Sequence, residues 1–352
     1  MTDLQLLTNS ARNAFGECHR KYKFKYIDGV KLVHENENLR FGTLVHKCLE
    51  HWWSDHAKGI FQRLDSVRLY LDARRAAGDD LFELAKARVM MDGYEMQWGA
   101  VECETVAVEQ QFTAPLVNPD TNGVSRTWQL AGKMDVVAYI DGLLQVVEHK
   151  TAGGDISPES KYWTKLAIDG QVSQYYVGGR TLGHDIQGTT YDVLKKPAQR
   201  PLKIPVLDEA GKKIVLDVEG NRVYNKDGKT PKQSADSELG YELHTRPETA
   251  EEYEVRVREE VIGNLDKYFR RLPVPRLDSD LVEWMCDMWS IGREIAEAKN
   301  SNRFPKNPRS CDNYGTCEFF EVCAGRESID NPHIFKRGEI NAELLTETVE
   351  TF

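Results

Sequence analysis

The chain has 352 residues, a globular composition and a formal net charge of −10, room for one large or two ordinary domains. No apolar run is long enough to span a bilayer and no secretory leader pattern opens the sequence, so a cytoplasmic protein is expected. The acidic balance excludes attraction of nucleic acid by the molecule as a whole; such a partner needs a local basic patch. Seven cysteines without a secretory signal argue against a disulfide framework and for metal-bound or reactive thiolates.

In chain order, Ser10 is placed to cap a short helix that ends near Cys18. Arg20, Lys21, Lys23 and Lys25 then alternate with Tyr22, Phe24 and Tyr26. That interleaving suits a surface for single-stranded nucleic acid. It equally suits an amphipathic element with core aromatics and solvated lysines. A helix is expected from Phe41, with Thr43 as N-cap, and His46 and Glu50 share one of its faces at i, i+4. Residues 60–99 read as helical and carry no evident chemistry. Residues 104–113 alternate like a strand, and Glu109 there is either near the site or, the preferred reading, an edge-strand acid.

The strongest local signal is a hairpin over 130–150. Asp141 and Gly142 separate two apolar runs, the pairing that a type I′ turn demands. Counting outward, Ile140 faces Leu143, Tyr139 faces Leu144, Val137 faces Val146, Asp135 faces Glu148, and Lys133 faces Lys150. Asp135 and Glu148 fall on a non-hydrogen-bonded pair, where facing Cα atoms approach to about 4.5 Å. Carboxylates that close repel unless a cation sits between them. Lys150 points to the same face as Glu148, so these residues form a hard-oxygen metal site with a charged helper. Both faces of the hairpin are otherwise apolar, which predicts a sheet covered by helices.

Beyond Lys150, Ser157-Pro158 resembles a helix start. A helix over 165–180 would project the Gln171 amide and the Tyr175 phenol side by side. Residues 187–196 read as a strand with a basic tip. Residues 197–247 are polar, with two similar units starting at Leu207 and Leu216, and read as an insertion: a small β-hairpin arm or a partly disordered loop. Helices are expected over 248–271 and 278–299, joined by an extended link at Pro273–Arg276; Leu281, Trp284, Met285, Met288 and Ile295 form a core stripe.

Cys311, Cys317 and Cys323 are each separated by five intervening residues in a loop-rich stretch. A structural metal site usually takes four ligands, and Cys18, at a helix end beside basic residues, is the candidate fourth. Four thiolates suit zinc or an iron–sulfur cluster. Cys48, Cys103 and Cys286 lie in apolar periodic segments and read as small hydrophobes.

Gly132-Lys-Met-Asp135, Glu148-His-Lys150 and Gln171-x-x-x-Tyr175, preceded by Gly42-Thr-x-x-His46, resemble the RecB-like branch of the PD-(D/E)XK nuclease superfamily. The cysteines split between the chain ends resemble its iron–sulfur members: the AddB nuclease domain, CRISPR-adaptation nucleases and phage exonucleases. The phrases around Tyr162-Trp163, Gln171 and Leu194–Pro197 look most like phage members. The resemblance runs over about 8–326. It implies an α/β restriction-endonuclease-like core, a central mixed β-sheet flanked by helices, with the N- and C-terminal segments joined at a cysteine-ligated cluster. It implies one nuclease domain over 1–352, a cluster-binding region at 1–31 and 300–326, an insertion at 197–247 and a tail at 327–352.

By resemblance, His46, Asp135, Glu148 and the His149 carbonyl bind one or two Mg²⁺ or Mn²⁺ ions. Lys150 orients the attacking water, and Gln171 and Tyr175 position DNA or Lys150. Cys18, Cys311, Cys317 and Cys323 hold a 4Fe–4S cluster, with structural zinc as the alternative; the gap between Cys311 and Cys317 is longer than the C-x-x-C of many members. The activity implied is metal-dependent DNA exonuclease cleavage in recombination, replication or repair, in a host cytoplasm if phage-encoded. DNA with a single-stranded end or segment is the implied partner, together with a recombinase, annealing protein or helicase. The alternatives are a structure-specific or flap endonuclease with the same site, and a non-cleaving DNA-binding adaptor.

Overall fold

The computed structural model describes residues 4–344 apart from 35, 61 and 314. A six-stranded mixed sheet forms the centre. Its strands are β1 (Gln5–Leu7), β2 (Cys103–Val117), β3 (Val124–Ile140), β4 (Leu143–Ala152), β5 (Gly188–Lys195) and β6 (Phe269–Pro273). The main helices are α1 (Asn9–Glu17), α2 (Glu37–Ala57), α3 (Arg63–Ala76), α4 (Leu81–Trp98), α5 (Gly170–Thr181), α6 (Ala250–Ile262) and α7 (Asp278–Ser301).

The hairpin forms in the expected register, from Ile140↔Leu143 to Val136↔Val147. Asp141 and Gly142 have φ of 51° and 77°, as a type I′ turn requires. The expected pairs Asp135/Glu148 and Lys133/Lys150 are not rungs of this ladder, because β4 leaves β3 beyond Val136. Lys133 instead pairs with Gln111 of β2, and Lys150 with Val193 of β5. On the same edge of β3, the stretch 128–130 pairs in parallel with β1. The edge between these two partners is a fork. Helix α5 covers it: Gln174 Nε2 donates to the Ala131 carbonyl at 2.7 Å, one way of satisfying a buried backbone group that has no strand partner.

Helices cover both faces, as the two-sided apolar pattern predicts. On one face Val136, Ala138 and Val147 pack with Phe41, Val45, Leu49 and Trp53 of α2 and with α4 and α6. Helix α4 is wedged deep in this layer; Leu84, Ala87, Val89, Met90, Met91 and Tyr94 are buried nearly all round it, so its sequence lacks a clean polar face. On the other face Met134, Val137, Leu144 and Val146 pack with Val172, Tyr175 and Tyr176 of α5 and with Leu281 of α7.

Several elements depart from expectation. Thr8, rather than Ser10, caps α1 by accepting from the Ala11 N–H. Helix α2 begins upstream of Phe41, so Thr43 lies inside it and its hydroxyl donates to the Leu39 carbonyl. The helix expected over 248–271 ends at Ile262, and Phe269–Pro273 forms β6, antiparallel to β5. Burial of Phe269 against α4 and α6 and a free sheet edge outweigh local helical periodicity. Tyr22 and Phe24 are buried, and Lys21, Lys23 and Lys25 pair with Glu17, Asp28 and Glu318. The basic–aromatic run is therefore core and ion pairs, not a stacking platform.

Within 197–247, Lys203–Pro205 pairs with Thr245–Pro247 and Val215–Leu216 pairs with Glu242–Leu243. The turns at Asp208 and Asp217 have one design: each carboxylate accepts N–H groups two and four residues on, an Asx-type turn that explains the repeated units. Phe335–Arg337 pairs with Val30–Leu32. Residues 345–352 of the segment expected as a tail lie outside the described residues.

Helix α5 can approach the sheet because Gly132 and Gly178 enclose the Phe112 ring. A Cβ on Gly132 would come within 2.6 Å of that ring, and one on Gly178 would overlap it. Gly178→Ala gains about 1 kcal/mol of helix propensity but overpacks the buried Phe112 ring, at about 1–3 kcal/mol. We expect a net loss near 1 kcal/mol in urea denaturation, with reduced activity because α5 carries Gln171 and Tyr175.

Candidate active site

The fork between β3 and β4 brings the carboxylates together without a ladder rung. Asp135 Oδ2 accepts the His149 N–H at 2.9 Å, so the acid on β3 is tied to the backbone between Glu148 and Lys150. Asp135 and Glu148 are both buried. Burial, then the charges of Glu148 and Glu109, push the Asp135 carboxyl well above the usual carboxylate range. A site that resists ionisation so strongly favours a positive occupant.

Glu148 is held from three sides. Lys150 Nζ donates to its Oε1 at 2.5 Å and Gln171 Nε2 at 2.9 Å, while the Tyr175 hydroxyl donates to Oε2. Burial and Glu148 raise the Tyr175 phenol far above its ordinary value, so it stays a donor. Lys150 also bonds Gln171 Oε1 at 3.0 Å. Burial opposes its charge, but Glu148, Asp135 and Asp169 outweigh that and hold the ammonium above the usual lysine range. Asp169 caps α5 at Gln171 N and accepts from Tyr191, fixing the turn that presents Gln171.

His46 reaches the same fork from α2, on the other side of the sheet. Its Nδ1 lies 3.8 Å from Asp135 Oδ2. Desolvation, then His149, Lys150 and Lys133, push the imidazole down to about 3. It is therefore neutral, the form in which imidazole ligates metal. The structure thus gathers His46, Asp135, Glu148, His149, Lys150, Gln171 and Tyr175 in one place. Among the described residues, no three His, Cys, Asp or Glu side chains converge tightly enough to hold one ion. The chemistry of the set, two buried acids with a neutral imidazole, fits a hard divalent cation.

Two features escaped the sequence. Glu109 is no ordinary edge acid: it lies across from Asp135, between the rungs Val108↔Val136 and Gln110↔Met134, and pairs with Lys133. Its φ of 53° is uncommon for a residue with a side chain. Behind the site, His149, Asp192 and Arg271 form a row across β4, β5 and β6. Asp192 Oδ2 lies 3.3 Å from His149 Nδ1 and accepts from Arg271 Nη2 at 3.0 Å and from the Tyr94 hydroxyl at 2.6 Å. Trp53 Nε1 donates to Tyr94. Burial opposes the Asp192 charge, yet Arg271 and His149 hold its carboxyl well below the usual range. A fully buried acid in the apolar strand Tyr191–Leu194 was the available signal. Arg271 gave none, because its segment reads as helix.

The four candidate cysteines also meet. Cys18, Cys311, Cys317 and Cys323 line one cavity of about 170 Å³. Cys18 ends α1, where its sulfur accepts the Asn307 N–H at 3.3 Å. Asn307 and Ser310 bond the Glu17 carbonyl, and Arg20 bonds the Phe304 carbonyl. Phe24, Val30, Phe319 and Phe335 pack beneath, against Cys317 and Cys323.

The sequence matches the model of the PD-(D/E)XK nuclease superfamily over residues 7–324. The chain belongs to that superfamily. No curated protein sequence matches it. Two solved structures are similar at low identity. A candidate exonuclease from Eubacterium rectale is 13% identical over 93% of this chain and 90% of that one, with a TM-score of 0.37. SSO0001 is 10% identical over 76% and 82%, with a TM-score of 0.27. Among the described residues no helix is long and apolar enough to cross a membrane.

The Asp192 row yields a stability test. Asp192→Asn keeps an acceptor for Tyr94 but leaves the Arg271 guanidinium buried without a counter-charge. We expect a loss of about 3–5 kcal/mol, read from urea denaturation.

Proposed function

We propose that the protein is a metal-dependent deoxyribonuclease of the RecB-like branch, acting as an exonuclease of phage type in recombination, replication or repair. The carrying observation is the convergence on one fork of Asp135, Glu148, Lys150 and His46, with Glu148 held by Gln171 and Tyr175. His46, Asp135, Glu148 and the His149 carbonyl would hold Mg²⁺ or Mn²⁺. Bound there, the ion supplies Lewis acidity toward a phosphate oxygen and a more acidic water. Lys150 carries a fixed positive charge beside that position, where it steadies the scissile phosphate and orients the water. Gln171 bridges Lys150 and Glu148 and keeps the two in step. Tyr175, locked as a donor, fixes the Glu148 rotamer. A DNA strand with a free end is the substrate, delivered by a recombinase, an annealing protein or a helicase.

We infer that the cysteine cavity holds a 4Fe–4S cluster, or structural zinc in its place, joining 1–31 to 300–326. What supports a metal group there is that all four thiols line one cavity, a donor set that suits a cluster or zinc. We read the chain as one nuclease domain with an insertion at 197–247.

Digestion of linear single-stranded, linear duplex and circular DNA with Mg²⁺ or Mn²⁺ tests activity and mode together. Loss of linear DNA with circles intact is expected. Asp135→Ala and Lys150→Ala should each abolish cleavage, about 10³-fold or more in rate, while keeping the wild-type circular dichroism. Normal cleavage by both variants overturns the assignment, and cut circles replace exonuclease with endonuclease. Anaerobic protein should carry iron and acid-labile sulfide in equal amounts; colourless protein with stoichiometric zinc selects zinc.

A further inference from the structure

Beside the fork lies a groove of about 660 Å³ whose lining includes Arg40, Lys86, Gly153, Lys196 and Arg200. It meets the site along two elements. Gly153 is three residues past Lys150, about 10 Å along an extended chain. Arg40 is six residues before His46, about 9 Å along α2. The elements touch in between: a Cβ on Gly42 would lie 3.1 Å from Thr151 Oγ1, and Lys196 N donates to the Ala152 carbonyl at 2.8 Å.

The charges in this groove are unequally matched. Lys196 bonds Glu37 at 3.0 Å and Arg40 bonds Glu83 at 2.9 Å. Asp80 is committed to capping α4. In the Lys196 pair the acid, Glu37, is 65% exposed, so a competing anion displaces it at little cost; in the Arg40 pair the acid, Glu83, is buried, and Arg40 stays with it. Lys86 differs. It is only 9% exposed, and among the described residues no carboxylate lies within ion-pair distance of it. Its closest ring contact is Tyr253, 5.9 Å away, and the charges of Glu37, Glu83 and Asp80 act on it only from beyond that ion-pair distance. The stem of Lys86 is buried and its ammonium opens into the groove, where it is not neutralised by a direct ion pair and is free to take an anion. The molecule as a whole is acidic, so an approaching polyanion needs such a local patch.

We propose that this groove is a phosphate-binding subsite: Lys86 and Arg200, with Lys196, take a backbone phosphate of the nucleic-acid strand roughly three nucleotides from the scissile bond. The inference rests on the nuclease reading and adds to it the path of the strand, along the α2–β4 seam toward the tip of β5. Charge and not base chemistry lines the path, so the subsite positions the strand without reading its sequence.

The test is fluorescence anisotropy with a fluorescein-labelled, mixed-sequence DNA single strand in EDTA, titrated at several KCl concentrations. Lys86→Met should weaken binding about tenfold and reduce the log–log salt slope by about 0.7, one phosphate's share on a single strand. The same variant keeps the buried stem volume, so it should unfold at about the wild-type urea concentration. Lys86→Arg should keep the slope. Arg200→Ala, an exposed position that cannot upset the fold, should lose affinity in the same direction. Wild-type affinity and slope in both Lys86→Met and Arg200→Ala overturn the subsite while leaving the nuclease reading standing. A wild-type protein that neither binds nor cleaves the strand overturns the reading and the subsite with it.

Discussion

Two buried carboxylates, Asp135 and Glu148, are pressed toward each other at the place where β3 and β4 part, and most of the molecule serves to keep them there. In an unbroken hairpin they would be a like-charged rung, a destabilising pair. The fork relieves the contact and turns it to use. It frees the His149 N–H to bind Asp135 and leaves Glu148 to Lys150, Gln171 and Tyr175. Helix α5 closes the fork through Gln174 and is admitted by the two glycines around Phe112.

The site is supported from both faces of the sheet. On one, α5 supplies donors to Glu148. On the other, α2 brings His46, and the row His149–Asp192–Arg271 with Tyr94 and Trp53 stiffens the strands behind it. A buried ion pair of this kind adds little net stability. Its effect is geometric: the residue between Glu148 and Lys150 is held on its side chain as well as its backbone. Farther away, the segments around Cys18 and over 306–324 meet at the four-cysteine cavity, beside α1, which follows β1, the parallel partner on the far side of the fork.

What was legible in the sequence was local. Asp141-Gly142 fixed a turn, the turn fixed a register, and the register named the acids and the lysine. The i, i+4 spacing of Gln171 and Tyr175 survived because a helix preserves it wherever it packs. What failed was non-local. β1 pairs with β3 across more than a hundred residues, so the fork itself was invisible. Phe269–Arg271 became strand because β5 offered it an edge, and with it went the chance of finding the partner of Asp192. Glu109 looked like an edge acid because a positive φ in mid-strand has no sequence signature. Tyr22 and Phe24 looked available to bases until their burial was known.

Calorimetric titration of the apoprotein with Mn²⁺ tests the central claim most directly. Saturable binding is expected, with its loss in Asp135→Asn. Absence of binding to folded wild-type protein, or equal binding to Asp135→Asn, would contradict it.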